Sequence, residues 1–276
     1  NQLRAEIEKE KLHILESFHE NDLAVLLDFE ANIATYAAQA IHNQAFEGWF
    51  EVPLIRAFLN RQKKLFIDDH QLQMIPEVLF SLDYLERLSF SRSQLETIPT
   101  AIHGLQGLAH LFLDGNCLKE LPTAIGQLPK LTDLYLDKNH LEDLSPELNW
   151  FPCLEILILD NNRLETLPSA IGRIQTLRQL SVDHNPLQYL PPEIGALGHL
   201  HLLSLNYTEA LETLPPAIGQ LTNLTDLFLS HSGIKYLPEE LKYLQKLSYL
   251  DLTNTPLPHS EKQALKEVLP NCQIQF

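Results

Sequence analysis

From Leu108 to Leu118 the chain reads LAHLFLDGNCL, from Leu131 to Leu141 LTDLYLDKNHL, and from Leu154 to Leu164 LEILILDNNRL. Leucine recurs at the first, fourth, sixth and eleventh places, and asparagine holds the ninth: Asn116, Asn139 and Asn162. The fourth and sixth residues alternate with their neighbours, which is the period of a strand with one buried face. A strand this short cannot bury its leucines alone. The next copy follows 23 residues later, so the strands are expected to stack side by side in a parallel sheet. Asparagine falls where each strand turns away, with an amide able to bond backbone groups of its own and the adjacent turn.

Outward from these three copies the pattern persists. Leu177, Leu180, Val182, Asn185 and Leu187 continue it, and weaker copies flank it around Leu65–Ile67, Leu88–Phe90, Leu203–Leu205, Leu227–Leu229 and Leu250–Leu252. Nine units result. Ser93, Thr208, Ser232 and Thr255 take the asparagine place in the degenerate copies. Between strands runs a second phased signal: Ile98-Pro99, Leu121-Pro122, Leu167-Pro168, Leu190-Pro191, Leu214-Pro215 and Leu237-Pro238. Proline disfavours α-helix there, so 3₁₀ or extended turns are predicted for the return path. One unit, between Leu190 and Leu214, has 24 residues. Its extra residue predicts a bulge at Tyr207–Ala210, with the flanking strands still paired.

The form LxxLxLxxNxLxxLPxxIGxLxx resembles the leucine-rich repeat of the intracellular Ras-group and Scribble-type proteins, and also the repeat domains of bacterial effectors. The resemblance implies an α/β fold: a horseshoe solenoid with a parallel β-sheet on its concave face. It implies a protein-binding scaffold or recognition module, cytoplasmic or delivered into a host cytosol, with no cofactor and no catalysis of its own. An alternative is the substrate-recognition part of a larger enzyme, such as a ubiquitin ligase, whose catalytic domain lies outside this chain.

Composition agrees. Leucine makes up 57 of the 276 residues, but only 8 of the first 60. Residues 1–60 instead carry nine alanines and helical periodicity, and are expected to form a helical N-terminal cap ahead of a repeat domain spanning 61–276. At the other end, Ser260-Glu261-Lys262-Gln263 reads as a capping box opening a helix to about Leu269, followed by a last strand at Cys272–Phe276. The net charge of −16 argues against a nucleic-acid or anionic-membrane partner. Cys117, Cys153 and Cys272 are widely spaced, as in a reducing compartment, and Cys272 is expected to pack rather than react. No phosphate loop, nucleophile elbow, zincin or CxxC motif occurs. His184 and His231 stand two repeats apart, about 10 Å at the backbone, too far to share a metal.

One surface remains as a candidate site. The fifth and seventh places of each unit point away from the core, to the concave side. The fifth-place column brings Phe112, Tyr135 and Ile158 together, with Ile156 beside them. The seventh-place column sets Asp114, Asp137, Asp160 and Asp183 on successive strands. Contiguous apolar groups beside a row of carboxylates predict a protein partner with apolar and basic contact groups, bound by a monomer.

Overall fold

A computed structural model describes residues 61–144, apart from 70, 71, 73, 74 and 76, and residues 151–276. The helical cap expected over 1–60 lies outside the described residues.

Ten three-residue strands run in chain order through one parallel sheet: β1 Lys64–Phe66, β2 Arg87–Ser89, β3 His110–Phe112, β4 Asp133–Tyr135, β5 Ile156–Ile158, β6 Gln179–Ser181, β7 Leu202–Ser204, β8 Asp226–Phe228, β9 Tyr249–Asp251 and β10 Gln273–Gln275. Strand pairing is in phase with the repeat: Leu111 lies opposite Leu134, and Leu134 opposite Leu157. Leu111, Leu113, Leu134, Leu136, Leu157 and Leu159 are all buried. Nine of these strands are the nine units; the tenth closes the stack.

The return path is 3₁₀, as the prolines require. Five-residue 3₁₀ turns follow Pro99, Pro122, Pro168, Pro191, Pro215 and Pro238, each proline holding φ between −61° and −68°. These turns pack on one another closely enough to exclude a side chain. A Cβ on Gly195 would meet Ala217 O at 2.5 Å, and one on Gly219 would meet Glu240 O at 2.6 Å.

Inside the strand ends runs the asparagine ladder. Asn139 Nδ2 donates to Leu113 O at 2.9 Å and Leu136 O at 3.0 Å, while its Oδ1 accepts from Leu118 N at 3.1 Å. Asn116, Asn162 and Asn185 repeat this arrangement, each tying its own strand to the preceding unit. At the N-terminal end the Ser93 hydroxyl still reaches the preceding unit, with Oγ 2.9 Å from Ile67 O, but the hydroxyls of the C-terminal units do not. The Oγ1 or Oγ of Thr208, Ser232 and Thr255 donates only to Leu205 O, Leu229 O and Leu252 O of its own unit.

The 24-residue unit keeps its strand: β7 pairs with both β6 and β8. Its surplus forms a turn at Glu209–Ala210, closed by Leu211 N donating to Thr208 O at 3.0 Å. The turn leans over Gly233 of the next unit, where a Cβ would fall far inside contact distance of Glu209 O.

The C-terminal helix, α1, spans His259–Val268 and differs from expectation at its start. No side chain caps it, and Ser260 lies inside the first turn rather than at the cap. Pro258, extended at φ −59° and ψ 149°, occupies the cap position, and Lys262 N bonds its carbonyl at 3.1 Å. Lys262 and Lys266 then lie over the Phe276 ring, 5.2 and 5.6 Å from its centre. Cys272 packs against the core, and burial pushes its thiol up to about 11. No helix among the described residues is long and apolar enough to cross a membrane.

Candidate functional site

The strand alternation that buries the leucines turns the third, fifth and seventh places outward. On β3 and β4 the Phe112 and Tyr135 rings stack, with centres 4.8 Å apart and planes 10° from parallel. Ile158 is the register partner of Tyr135, and Ile156 that of Asp133. All four candidate apolar residues are therefore neighbours on three consecutive strands, each half-buried. Beside them His110 Nδ1 hydrogen-bonds Asp133 Oδ2 across the strands. Burial, and next to it the Asp133 carboxylate, raises the Tyr135 hydroxyl above the ordinary tyrosine range.

The aspartate column divides in two. Asp160 Oδ1 accepts from Ser181 Oγ at 2.6 Å and Asp183 N at 2.9 Å, both from the next unit. Asp183 Oδ1 accepts from Ser204 Oγ at 2.6 Å and Asn206 N at 2.7 Å in the same manner. Asp68 does so with Ser89 Oγ and Ser91 N. The rule is visible in the pairing: the carboxylate is clasped wherever the next unit carries serine at its fifth place. The next units after Asp114 and Asp137 carry Tyr135 and Ile158 there, which have no such hydroxyl within reach. Asp114 instead receives Ser91 Oγ from the preceding unit, at 2.5 Å. The Asp137 carboxylate receives no hydrogen bond from another described residue; desolvation first, and the Asp114 charge second, hold its carboxyl above the ordinary aspartate range. The expected row of four equivalent, outward-facing carboxylates is thus two clasped between units, Asp160 and Asp183, and two beside the aromatic pair. Taken over β3–β9 and their exits, Asp114, Asp133, Asp137, Asp160, Asp183, Asp226 and Asp251 stand against a single Lys138.

A second feature was not foreseen. The eighth place of every unit has positive φ, between 54° and 67° from Arg92 to Asn254. Three consecutive units put rings there. Tyr207 stacks between His184 (centres 4.1 Å apart, planes 10° from parallel) and His231 (4.4 Å, 6°). Asn254 Nδ2 and His231 Nε2 are 3.0 Å apart. The two histidines are separated by a tyrosine ring, not poised around a metal; among the described residues no group of three or more His, Cys, Asp or Glu stands ready to hold one. The hint in the sequence was the chemistry of the column, where glycine and asparagine (Gly115, Asn161, Asn254) mark the left-handed region.

Comparison with known proteins agrees with this geometry. A family profile described as a leucine-rich repeat region matches residues 138–271, and a leucine rich repeat profile matches 63–118 and 99–141. No curated protein sequence matches the chain. Among solved structures, the leucine-rich repeat domain of the type III effector XopL is similar, with a TM-score of 0.76 and 24% identity over 90% of this chain and 95% of that one. An octameric complex of Latrophilin 3, Unc5D and the leucine-rich repeats of FLRT2 gives a TM-score of 0.69 at 24% identity, covering 77% of this chain and 69% of that one. The ectodomain of the Arabidopsis thaliana receptor kinase GASSHO1/SCHENGEN3, in complex with CASPARIAN STRIP INTEGRITY FACTOR 2, gives 0.52 at 27% identity, covering 73% of this chain and 28% of that one. In-phase parallel strands, the asparagine ladder and the 3₁₀ returns, together with profiles that jointly run from 63 to 271, identify the described part of this chain as a leucine-rich repeat solenoid.

Proposed function

We propose that this solenoid is a protein-recognition module whose partner docks on the concave face over β3–β5. Phe112, Tyr135, Ile156 and Ile158 form the apolar centre of the contact, and Asp114 and Asp137 form its acidic edge. Asp160 and Asp183 hold the floor of the sheet beside it. The observation that carries the reading is the stacked Phe112–Tyr135 pair lying next to a carboxylate that no neighbouring residue satisfies. Aromatic groups at the centre of an interface carry most of its energy, and burying them under a partner removes apolar surface from water. A basic group on the partner would relieve the Asp114–Asp137 repulsion and hasten encounter. Complexes of similar repeat domains with other proteins support the same reading.

This reading takes the module to be part of a bacterial effector acting in a host cytosol; its likeness to the XopL repeat domain, along nearly the whole length of both, supports that reading. Affinity capture from host-cell lysate with the wild-type chain and with Tyr135→Ala tests the concave site. The partner is expected on the first and lost or reduced on the second, a weakening of about 1–3 kcal/mol. Equal recovery on both would overturn the site.

A further inference from the structure

The ring column on the concave rim carries more than the fold needs. Tyr207, His184 and His231 hold φ of 55°, 54° and 56°, where a side chain with a Cβ is strained. Asparagine fills the same place at lower strain in the units on either side, Asn161 and Asn254. Yet Tyr207 is 42% exposed, so its ring is not there to fill the core. The stack also has direction. Tyr207 has both faces covered, and His231 ends against Asn254. Toward the N-terminus His184 has no ring beside it, because the neighbouring place belongs to Asn161, whose N–H bonds Asp183 O at 2.8 Å. One residue before Asn161 is Asp160. Its Oδ1 is clasped by the next unit, but its Oδ2 receives no hydrogen bond among the described residues. Burial raises the carboxyl of Asp160, so a cation arriving there would recover its charge.

The His184 ring, the Asp160 carboxylate and the short Asn161 side chain thus stand at the exits of adjacent strands, joined by Asn161 N donating to Asp183 O, whose backbones lie about 4.8 Å apart. We infer that this notch, formed by His184, Asn161 and Asp160, is a seat for an arginine side chain of the protein partner. The guanidinium is planar, so it continues the ring stack by one member while its N–H groups meet Asp160 Oδ2. A lysine ammonium offers no plane to stack and is more strongly hydrated. Lys138, one place beyond Asn161, bounds the seat on its far side. The inference rests on the concave face being the docking face, and it adds which basic residue the partner presents and where.

The test uses the full 276-residue chain and two fluorescein-labelled probes of equal charge, nona-arginine and nona-lysine, followed by fluorescence anisotropy. The acidic face attracts both; the seat distinguishes them. Nona-arginine is expected to bind roughly fivefold tighter. His184→Asn keeps a residue that tolerates positive φ, and is expected to abolish that preference while leaving nona-lysine unchanged. Asp160→Asn retains the Oδ1 acceptor for Ser181 and Asp183, and is expected to reduce the preference as well. Equal affinity for the two probes, or a preference that survives His184→Asn, would overturn the seat. Failure of the docking face itself reads differently: capture of the partner would then be insensitive to Tyr135→Ala, a residue two strands away from His184 and outside the notch.

Discussion

Asn139→Ala removes a side chain that is 4% exposed and so has no recourse to water. Its three shorter bonds are not equivalent, and the fourth, to Asp137 O, is long at 3.4 Å. Leu113 O also receives Asn116 Nδ2 at 2.9 Å, and Leu136 O also receives Asn162 Nδ2 at 3.0 Å, so both carbonyls keep a donor when Asn139 goes. The Leu118 N–H has no other acceptor among the described residues. The cost is then one orphaned buried donor, about 1–3 kcal/mol, plus two shared bonds worth roughly half a kcal/mol each, giving about 2–4 kcal/mol in all. Thr255→Val is the internal comparison. It deletes one hydroxyl bond, to Leu252 O at 2.8 Å, in a side chain of nearly the same shape. That loss is expected at about 1 kcal/mol. Equilibrium urea unfolding followed by far-ultraviolet circular dichroism measures both, with the slope checked for constancy so that midpoints compare stabilities. If Asn139→Ala costs no more than Thr255→Val, the bridge between units contributes nothing and the ladder is a by-product of close strands.

Gly233→Ala is expected to cost about 1–3 kcal/mol, because its Cβ collides with Glu209 O, and deleting Glu209 in the same chain is expected to restore most of the loss; thermal unfolding of the two variants decides. Iodoacetamide at pH 8 is expected to modify exposed Cys153 well before Cys272, whose thiol burial pushes up to about 11; equal rates in a mass-spectrometric time course would contradict the packing. Asp137 protonates at a higher pH than an ordinary aspartate, so acidification removes its charge early. Attraction of a basic partner is therefore expected to start falling above the usual carboxylate range, and to do so less steeply in Asp137→Asn. The same raised carboxyl binds its proton more tightly folded than unfolded. Its contribution to stability thus increases as pH falls through its folded value, and Asp137→Asn is expected to flatten that part of the stability profile.

The spacing of leucines was enough to read β1–β9, their register and the burial of Leu134 or Leu157, since each unit repeats one local rule. The prolines gave the 3₁₀ returns for the same reason. The start of α1 was misread because Ser260–Gln263 satisfies a local motif, whereas the proline two residues earlier already fixes the chain direction. At the concave face, the columns placed Phe112, Tyr135 and Ile158 together, but one column at a time hides contacts between columns. The clasp of Asp160 needs Ser181, 21 residues on and in another column, and that offset is readable only once the strands are laid side by side. The rim stack was hidden in another way. Tyr207 and its histidines occupy a place whose backbone geometry favours glycine or asparagine, so the rings run against local preference.

The buried ladder has a break in it. From Asn116 to Asn185 each amide grips the unit before it, whereas Thr208, Ser232 and Thr255 grip only their own. In a stack whose stability is a sum of units and of the joints between them, joints of unequal strength set an order of failure. Pulled from its ends, this chain would not part at random. The load would find the hydroxyl joints first, and the last three units would peel away one after another while the asparagine-riveted middle held, a mechanical fuse written into four side chains.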